Sequence, residues 1–453
     1  MPFYPILTSL ETLAPKLFLL MVIRYVYLPS RPSGGTHPMR SKRRVVITGL
    51  GVVAPNGIGK DAFWENLIAG KSAVDWITSF DTTPYPCKVA AEVRDFRPED
   101  FMTQKRAREL WRFTQFAVAA ARMAVQDAKL DITPVNSEKI GACFGTCLNG
   151  FEKVEESCGI VQREGYAGLD PFTCIKYSTH APVSHVSIDL GIRGPAMTLA
   201  SGCATGLDVI KWGCDRIADG TSNVIIAGST EAPLNSLAFA TFCAVGVLSK
   251  ARHDALKASR PYDLNRDGLV LAEGAGAVVL ESLESALDRG APIYAEITGY
   301  GMTSEAAHVR KVDYAGATLA RAIKKALASA GAGPADVDYI NAHGNSMPDY
   351  DVSETNAFKA AFGPQVYSIP VSSIKSMIGQ PIAASGILQA IATALTVSEG
   401  IIPPTINYAT PDPQCDLDYV PNRSRVSRVN RAMANAHSVG GTHSVLILER
   451  PDS

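Results

Sequence analysis

The sequence predicts an α/β fold made of two copies of one unit, and three observations carry that expectation. Ile47-Thr48-Gly49-Leu50-Gly51 recurs as Ile297-Thr298-Gly299-Tyr300-Gly301. Gly274-Ala275-Gly276-Ala277-Val278-Val279-Leu280-Glu281 is echoed by Gly440-Gly441-Thr442-His443-Ser444-Val445-Leu446-Ile447-Leu448-Glu449. Between these bookends each half holds one strand–turn–helix element, centred on Cys203 in the first and on Val371-Ser372-Ser373-Ile374-Lys375-Ser376 in the second. The units are therefore 44–290 and 291–450, with a site expected where they meet.

Residues 1–43 stand apart. The apolar run 17–23 is broken by Arg24 and is too short to span a bilayer. Glu11 before it and the Ser-Arg-Pro-Ser-Gly-Gly stretch after it do not suit a signal peptide. The segment reads as an extension upstream of a start at Met39, the alternative being a membrane-surface anchor.

The body then opens on a strand at 44–48 running into a glycine turn. Pro55 and the missing third glycine exclude a dinucleotide fingerprint. Helices are expected over 61–69 and 105–128, a strand over 140–144, and a helix-containing excursion over 148–177. Residues 194–199 read as a turn and a buried strand, 223–228 as a buried strand, and 275–280 as an edge strand. In the second unit 339–341 is a strand and 383–398 a helix.

With 453 residues, 46% hydrophobic and 19% charged at net charge −1, the composition is that of a soluble globular protein. No dense Lys/Arg stripe is present, so nucleic acid is not an expected partner. Nine scattered cysteines, with only Cys143 and Cys147 close together, form neither a zinc pattern nor an even disulfide set. No metal is expected, and reduced thiols point to the cytoplasm.

Ala200-Ser201-Gly202-Cys203-Ala204-Thr205-Gly206 places one cysteine at a strand-to-helix elbow among small residues. An isolated cysteine is ordinarily a small core residue. At an elbow, backbone N–H groups and a helix N-terminus favour a nucleophilic thiolate. The second unit offers partners: His343 at the end of a strand, Lys375 in a polar break, and Glu354 as a carboxylate for that lysine. The small-residue loop 435–442 could turn N–H groups toward a reacting carbonyl. His437 and His443 read as loop residues.

These motifs, Gly-Cys-Ala-Thr-Gly, Asn-Ala-His-Gly, Ser-Ser-Ile-Lys-Ser-Met and the late Gly-Gly-Thr, resemble the elongating β-ketoacyl-acyl carrier protein synthases of the thiolase superfamily. The resemblance spans roughly 44–449 and includes Arg260-Pro261-Tyr262-Asp263 and Ala272-Glu273-Gly274-Ala275-Gly276. It implies a duplicated five-layer αβαβα sandwich, usually a dimer, with no bound cofactor and with substrates carried on the phosphopantetheine of acyl carrier protein. It further implies that Cys203 takes the acyl chain and that the N–H groups of Cys203 and Val439, beside Gly440 and Gly441, hold its carbonyl. His343 would bind the malonyl thioester, with Lys375 and Glu354 as a supporting pair.

The departures are specific. Gln380 stands where the family has a second histidine, and an amide donates a hydrogen bond but exchanges no proton. Asn345 and Met347 replace the threonines that touch the phosphopantetheine arm, and Val439 and Ser438 replace a gating phenylalanine and a glycine. The leading expectation is a condensing enzyme of specialised fatty-acid or polyketide synthesis, as a homodimer or as a heterodimer with a related ketosynthase. The alternatives are a chain-length-factor-like partner subunit and a non-decarboxylating acyltransferase.

Overall fold

A computed structural model describes residues 43–451. The expectation for the N-terminal extension falls, Arg43 aside, outside the described residues. The first five long strands are β1 (Val45–Ala54), β2 (Ile140–Gly145), β3 (Ala196–Leu199), β4 (Val224–Glu231) and β5 (Gly274–Ser282). The next five are β6 (Ala295–Ser304), β7 (Tyr339–Asn341), β8 (Val371–Ser372), β9 (Arg431–His437) and β10 (Thr442–Glu449).

Both sets pair in the same spatial order, β1-β5-β4-β2-β3 and β6-β10-β9-β7-β8. In each, the first two pairings are antiparallel and the last two parallel. β1 and β6 pair antiparallel, Val45 against Ile297, and join the sets into one eleven-stranded sheet that includes Gly57–Ile58.

Three helices accompany each set: α1 (Arg112–Asp127), α2 (Ala181–Leu190) and α3 (Thr205–Ala218), then α4 (Ala317–Ser329), α5 (Pro348–Phe362) and α6 (Ala384–Glu399). Strand alternation sorts the core into layers. Ile225, Ala227, Leu446 and Leu448 point inward onto α3 and α6, in one cluster with Leu207, Ile210, Ile387 and Ile391. Val224, Ile226 and Val279 point outward onto Phe113, Phe116 and Ala120 of α1. Val445 and Ile447 point outward onto Leu319 and Ile323 of α4. The result is the thiolase-like five-layer αβαβα sandwich.

α3 and α6 cross where Gly206 meets Gly386; a Cβ on Gly206 would lie 2.0 Å from the Ile387 nitrogen. That crossing brings the two strand–turn–helix elements together.

Four local expectations change. β1 does not turn at Gly49-Leu50-Gly51 but continues to Ala54. These glycines admit a helix: a Cβ would lie 2.2 Å from the Ala124 carbonyl at Gly49 and 1.9 Å from that of Ala120 at Gly51. Gly299 and Gly301 repeat the device against Ala326 and Ala322 of α4. β3 is the exposed edge of the sheet, with Met197 43% accessible, because no described strand follows it. β5 is a buried central strand between β1 and β4, its small residues packed on both faces. The helix expected over 105–128 is interrupted, since Leu110 and Trp111 are extended between Gln104–Glu109 and α1.

Candidate active site

Beyond β3 the chain makes a sharp elbow. Gly202 has φ +68°, a left-handed conformation that a side chain would strain. Gly202–Ala204 form a single 3-10 turn leading into α3. Thr205 clamps this turn, its hydroxyl accepting from the Ser201 N–H at 2.9 Å and donating to the Gly202 carbonyl at 2.7 Å. Ser438, from the β9–β10 turn, donates to the Ser201 carbonyl at 2.6 Å and accepts from the Ala204 N–H at 3.0 Å. Ser438 thus ties the second repeat to the elbow of the first.

Cys203 is 8% exposed, and its sulfur accepts a hydrogen bond from Gln380 Nε2 at 2.9 Å. Backbone pairing holds Gln380, whose N–H donates to the Val270 carbonyl at 2.7 Å and whose carbonyl accepts from the Ala272 N–H at 3.1 Å. Burial pushes the Cys203 thiol up to about 11, against the lowering effects of the Lys375 charge and the Gln380 amide. In the closed site desolvation therefore outweighs the helix-end preference for a thiolate.

His343 follows β7 and is fully buried. Asn345 donates from Nδ2 to His343 Nε2 at 3.2 Å, while its Oδ1 accepts from the Met347 N–H at 3.1 Å. The second bond fixes which end of the amide faces the ring, so His343 Nε2 is an acceptor and the proton is assigned to Nδ1. Burial first, and the Lys375 charge second, hold the imidazole well below its usual range and keep it neutral.

The supporting pair differs from expectation. Lys375 and Glu354 are both buried, yet the hydrogen bonds of each go to other partners. Lys375 Nζ donates to the His343 carbonyl at 2.6 Å and to Gln389 Oε1 at 2.8 Å. Glu354 instead accepts the N–H groups of His343 (2.7 Å) and Gly344 (2.8 Å), the Asn435 amide (2.6 Å) and the Tyr262 hydroxyl (2.6 Å). The two residues grip the His343 backbone from opposite sides, one at its carbonyl and one at its N–H. Burial draws the lysine down to about 7.

Glu354→Ala leaves four buried donors unmatched, a destabilisation of roughly 3–5 kcal/mol. A clearly lowered melting temperature is the expected readout. An unchanged melt would contradict this description of the carboxylate.

Gln389 was not singled out by sequence. Its Nε2 donates to the Ala342 and Asn435 carbonyls, both at 3.0 Å, and its Oε1 receives the lysine. The available signal was a lone amide in the apolar run of α6. Tyr262 and Asn435 carried no comparable signal as partners of Glu354, because distance along the chain hides them.

The stretch 435–442 is not one loop: Asn435–His437 ends β9, and the hairpin turns through Ser438–Gly441. Gly440 and Gly441 have φ +95° and +81° and make that turn. Val439 is 53% exposed, and among the described residues its N–H has no hydrogen-bond partner. It lines a cavity of about 660 Å3 with Met347, Tyr350, Val247, Arg310 and Lys311.

The sequence pattern "Beta-ketoacyl synthase, N-terminal domain" matches residues 42–286, and "Beta-ketoacyl synthase, C-terminal domain" matches 294–409. Two relatives named 3-oxoacyl-[acyl-carrier-protein] synthase 2 are similar over 409 residues. That of Synechocystis sp. is 40% identical (90% of this chain, 98% of the relative), and that of Coxiella burnetii is 41% identical (90% and 99%). Among solved structures, a type II polyketide synthase acyl-carrier protein in complex with its ketosynthase superposes with TM-score 0.84 at 34% identity, covering 91% of this chain and 100% of the other. The ishigamide ketosynthase/chain length factor gives 0.85 at 34%, with the same coverage. Cysteine elbow, strand-end histidine and buried lysine thus lie in a framework shared over nine-tenths of the chain, and the protein belongs to the β-ketoacyl synthase family.

Proposed function

We propose that this protein is a β-ketoacyl-acyl carrier protein synthase whose decarboxylating half-site is built from one histidine and one amide. The observation that carries the reading is the Gln380–Cys203 hydrogen bond at 2.9 Å, which sets a residue of the second repeat against the sulfur of the first.

In this reading Cys203 loses its proton as it attacks an acyl thioester on the carrier's phosphopantetheine, and the carrier thiol leaves with a proton. The N–H groups of Cys203 and Val439 receive the carbonyl oxygen. Malonyl carrier protein then binds along Asn345, Met347, Gly440 and Gly441. Loss of carbon dioxide leaves an enolate held by His343 and Gln380, and its carbon attacks acyl-Cys203. The product is two carbons longer and the cysteine is released. A neutral His343 suits the role of hydrogen-bond donor to that enolate, provided its proton moves from Nδ1 to Nε2 when substrate displaces the Asn345 contact. Lys375 and Glu354 act as positioning residues for His343.

The halves 44–290 and 291–450 serve as the two contributors to this site. A partner subunit is supported by the exposed edge strand β3, with Met197 on it, and by exposed Ile188 on α2, the helix packed against that strand. A homodimer, or a heterodimer with a related ketosynthase, would cover that edge. Among the described residues no helix is long and apolar enough to cross a membrane.

The test is mass spectrometry after incubation with acyl and then malonyl carrier protein. The expected result is acyl mass on Cys203, followed by release of carbon dioxide and an extended product. Acylation without carbon dioxide would favour a non-decarboxylating acyltransferase, and no acylation a non-catalytic partner subunit. Gln380→His is expected to raise malonyl decarboxylation by on the order of tenfold or more, because an imidazole can also exchange a proton. A flat or lower rate would show that the amide is not the weak point.

A further inference from the structure

His437, His443 and Glu305 lie outside the proposed reaction steps. His437 and His443 are not loop residues: they face each other across the β9–β10 ladder, with ring centroids 4.2 Å apart, and both are buried. Glu305 follows β6 directly, its N–H donating to the Gly441 carbonyl at 2.9 Å. Its Oε1 lies 3.0 Å from His443 Nε2 and 3.5 Å from His437 Nε2, and its Oε2 accepts the Asp313 N–H at 3.0 Å.

We infer that Glu305, His437 and His443 form a binding site for a divalent transition metal of the zinc class. All three ligand atoms lie within 4.8 Å of one another, the one such group of His, Cys, Asp and Glu side chains among the described residues. Ligand atoms of a tetrahedral zinc, each about 2.0–2.1 Å from the ion, stand roughly 3.3 Å apart. The two nitrogen–oxygen separations bracket that spacing. Two imidazoles and one carboxylate select borderline metals over calcium or magnesium, which prefer oxygen ligands.

Both Nε2 atoms converge on the one carboxylate oxygen Oε1, and these three are the atoms a metal would ligate. The Asp313 N–H on Oε2 supplies an outer contact that orients the carboxylate. Three protein ligands leave a fourth position for water. A metal here would pin the end of β6 to the hairpin that carries Ser438 and Val439, and so fix the wall of the 660 Å3 cavity. Sequence spacing gave no metal pattern because the ligands come from three strand ends.

The full-length protein is loaded with Zn2+, freed of excess by gel filtration, and its metal measured by elemental analysis. About one zinc per chain is expected. His437→Ala/His443→Ala should lose it, whereas His253→Ala/His308→Ala and Cys158→Ser/Cys174→Ser, all exposed positions, should keep it. Glu305→Gln, which preserves side-chain shape, should weaken zinc retention at least tenfold. Co2+ should give the visible bands of a nitrogen–oxygen site without thiolate charge transfer, and Mg2+ and Ca2+ should not be retained. Substoichiometric zinc in the parent, or equal zinc in either the double-histidine or the Glu305 variant, overturns the assignment.

Discussion

Cys203→Ser is expected to abolish acyl loading and to lower condensation about 10^5-fold, in the range seen when an enzyme loses its nucleophile. A second thiol makes the test sharp. Cys147 lies beside the elbow, its Sγ 3.5 Å from the Gly202 carbonyl and 3.4 Å from Thr205 Oγ1. The two differ in electrostatics. The Glu231 carboxyl disfavours a thiolate at both sulfurs, but Cys203 has the Lys375 charge and the Gln380 amide to offset it, whereas burial first and Glu231 second push Cys147 to about 12. Cys147→Ser should therefore retain acyl transfer. Acyl mass on Cys203→Ser, located by peptide mapping at Cys147, would move the nucleophile to the other thiol. The protonation state gives a companion result. Because burial lifts the folded thiol, the thiolate fraction grows about tenfold for each pH unit below about 11. Alkylation of Cys203 should therefore climb steadily from pH 7 to 10.

How far the sequence reaches depends on whether an interaction is local or distant. The duplication was legible because Ile-Thr-Gly-x-Gly is a local string. Its purpose was not: Gly49 and Gly51 looked like a turn, and only the close approach of Ala120 and Ala124 shows them as helix seats. The Cys203 elbow was legible from its run of small residues. Its clamp by Ser438 spans more than two hundred positions and left no local trace. Burial was misjudged at β3 and β5 because both are short on charge, and composition does not say which strand lies at the end of a sheet. Lys375 and Glu354 were paired by charge, but in a dry interior hydrogen-bond geometry decides. Each found backbone and amide partners that offer several fixed dipoles in place of one opposite charge.

His343→Ala is expected to separate the two half-reactions. Acyl transfer to Cys203 draws on the elbow, Gln380 and the β9–β10 turn, and should survive within about tenfold. Malonyl decarboxylation loses one of two enolate donors, which typically costs two to three orders of magnitude, roughly 3–4 kcal/mol of barrier. The loss in kcat should exceed that of Asn345→Ala, which removes the amide resting on Nε2 and a contact to the carrier's arm. At saturating malonyl carrier protein Asn345→Ala should ease the shift of the proton to Nε2 and keep kcat for decarboxylation, while the lost contact raises KM. Parallel assays of acyl loading by mass and of carbon dioxide release from malonyl carrier protein give both numbers. Equal loss of both activities in His343→Ala would mean that the ring shapes the whole site. A decarboxylation rate untouched by that change would pass the enolate to Gln380 and Asn345, a site of amides alone.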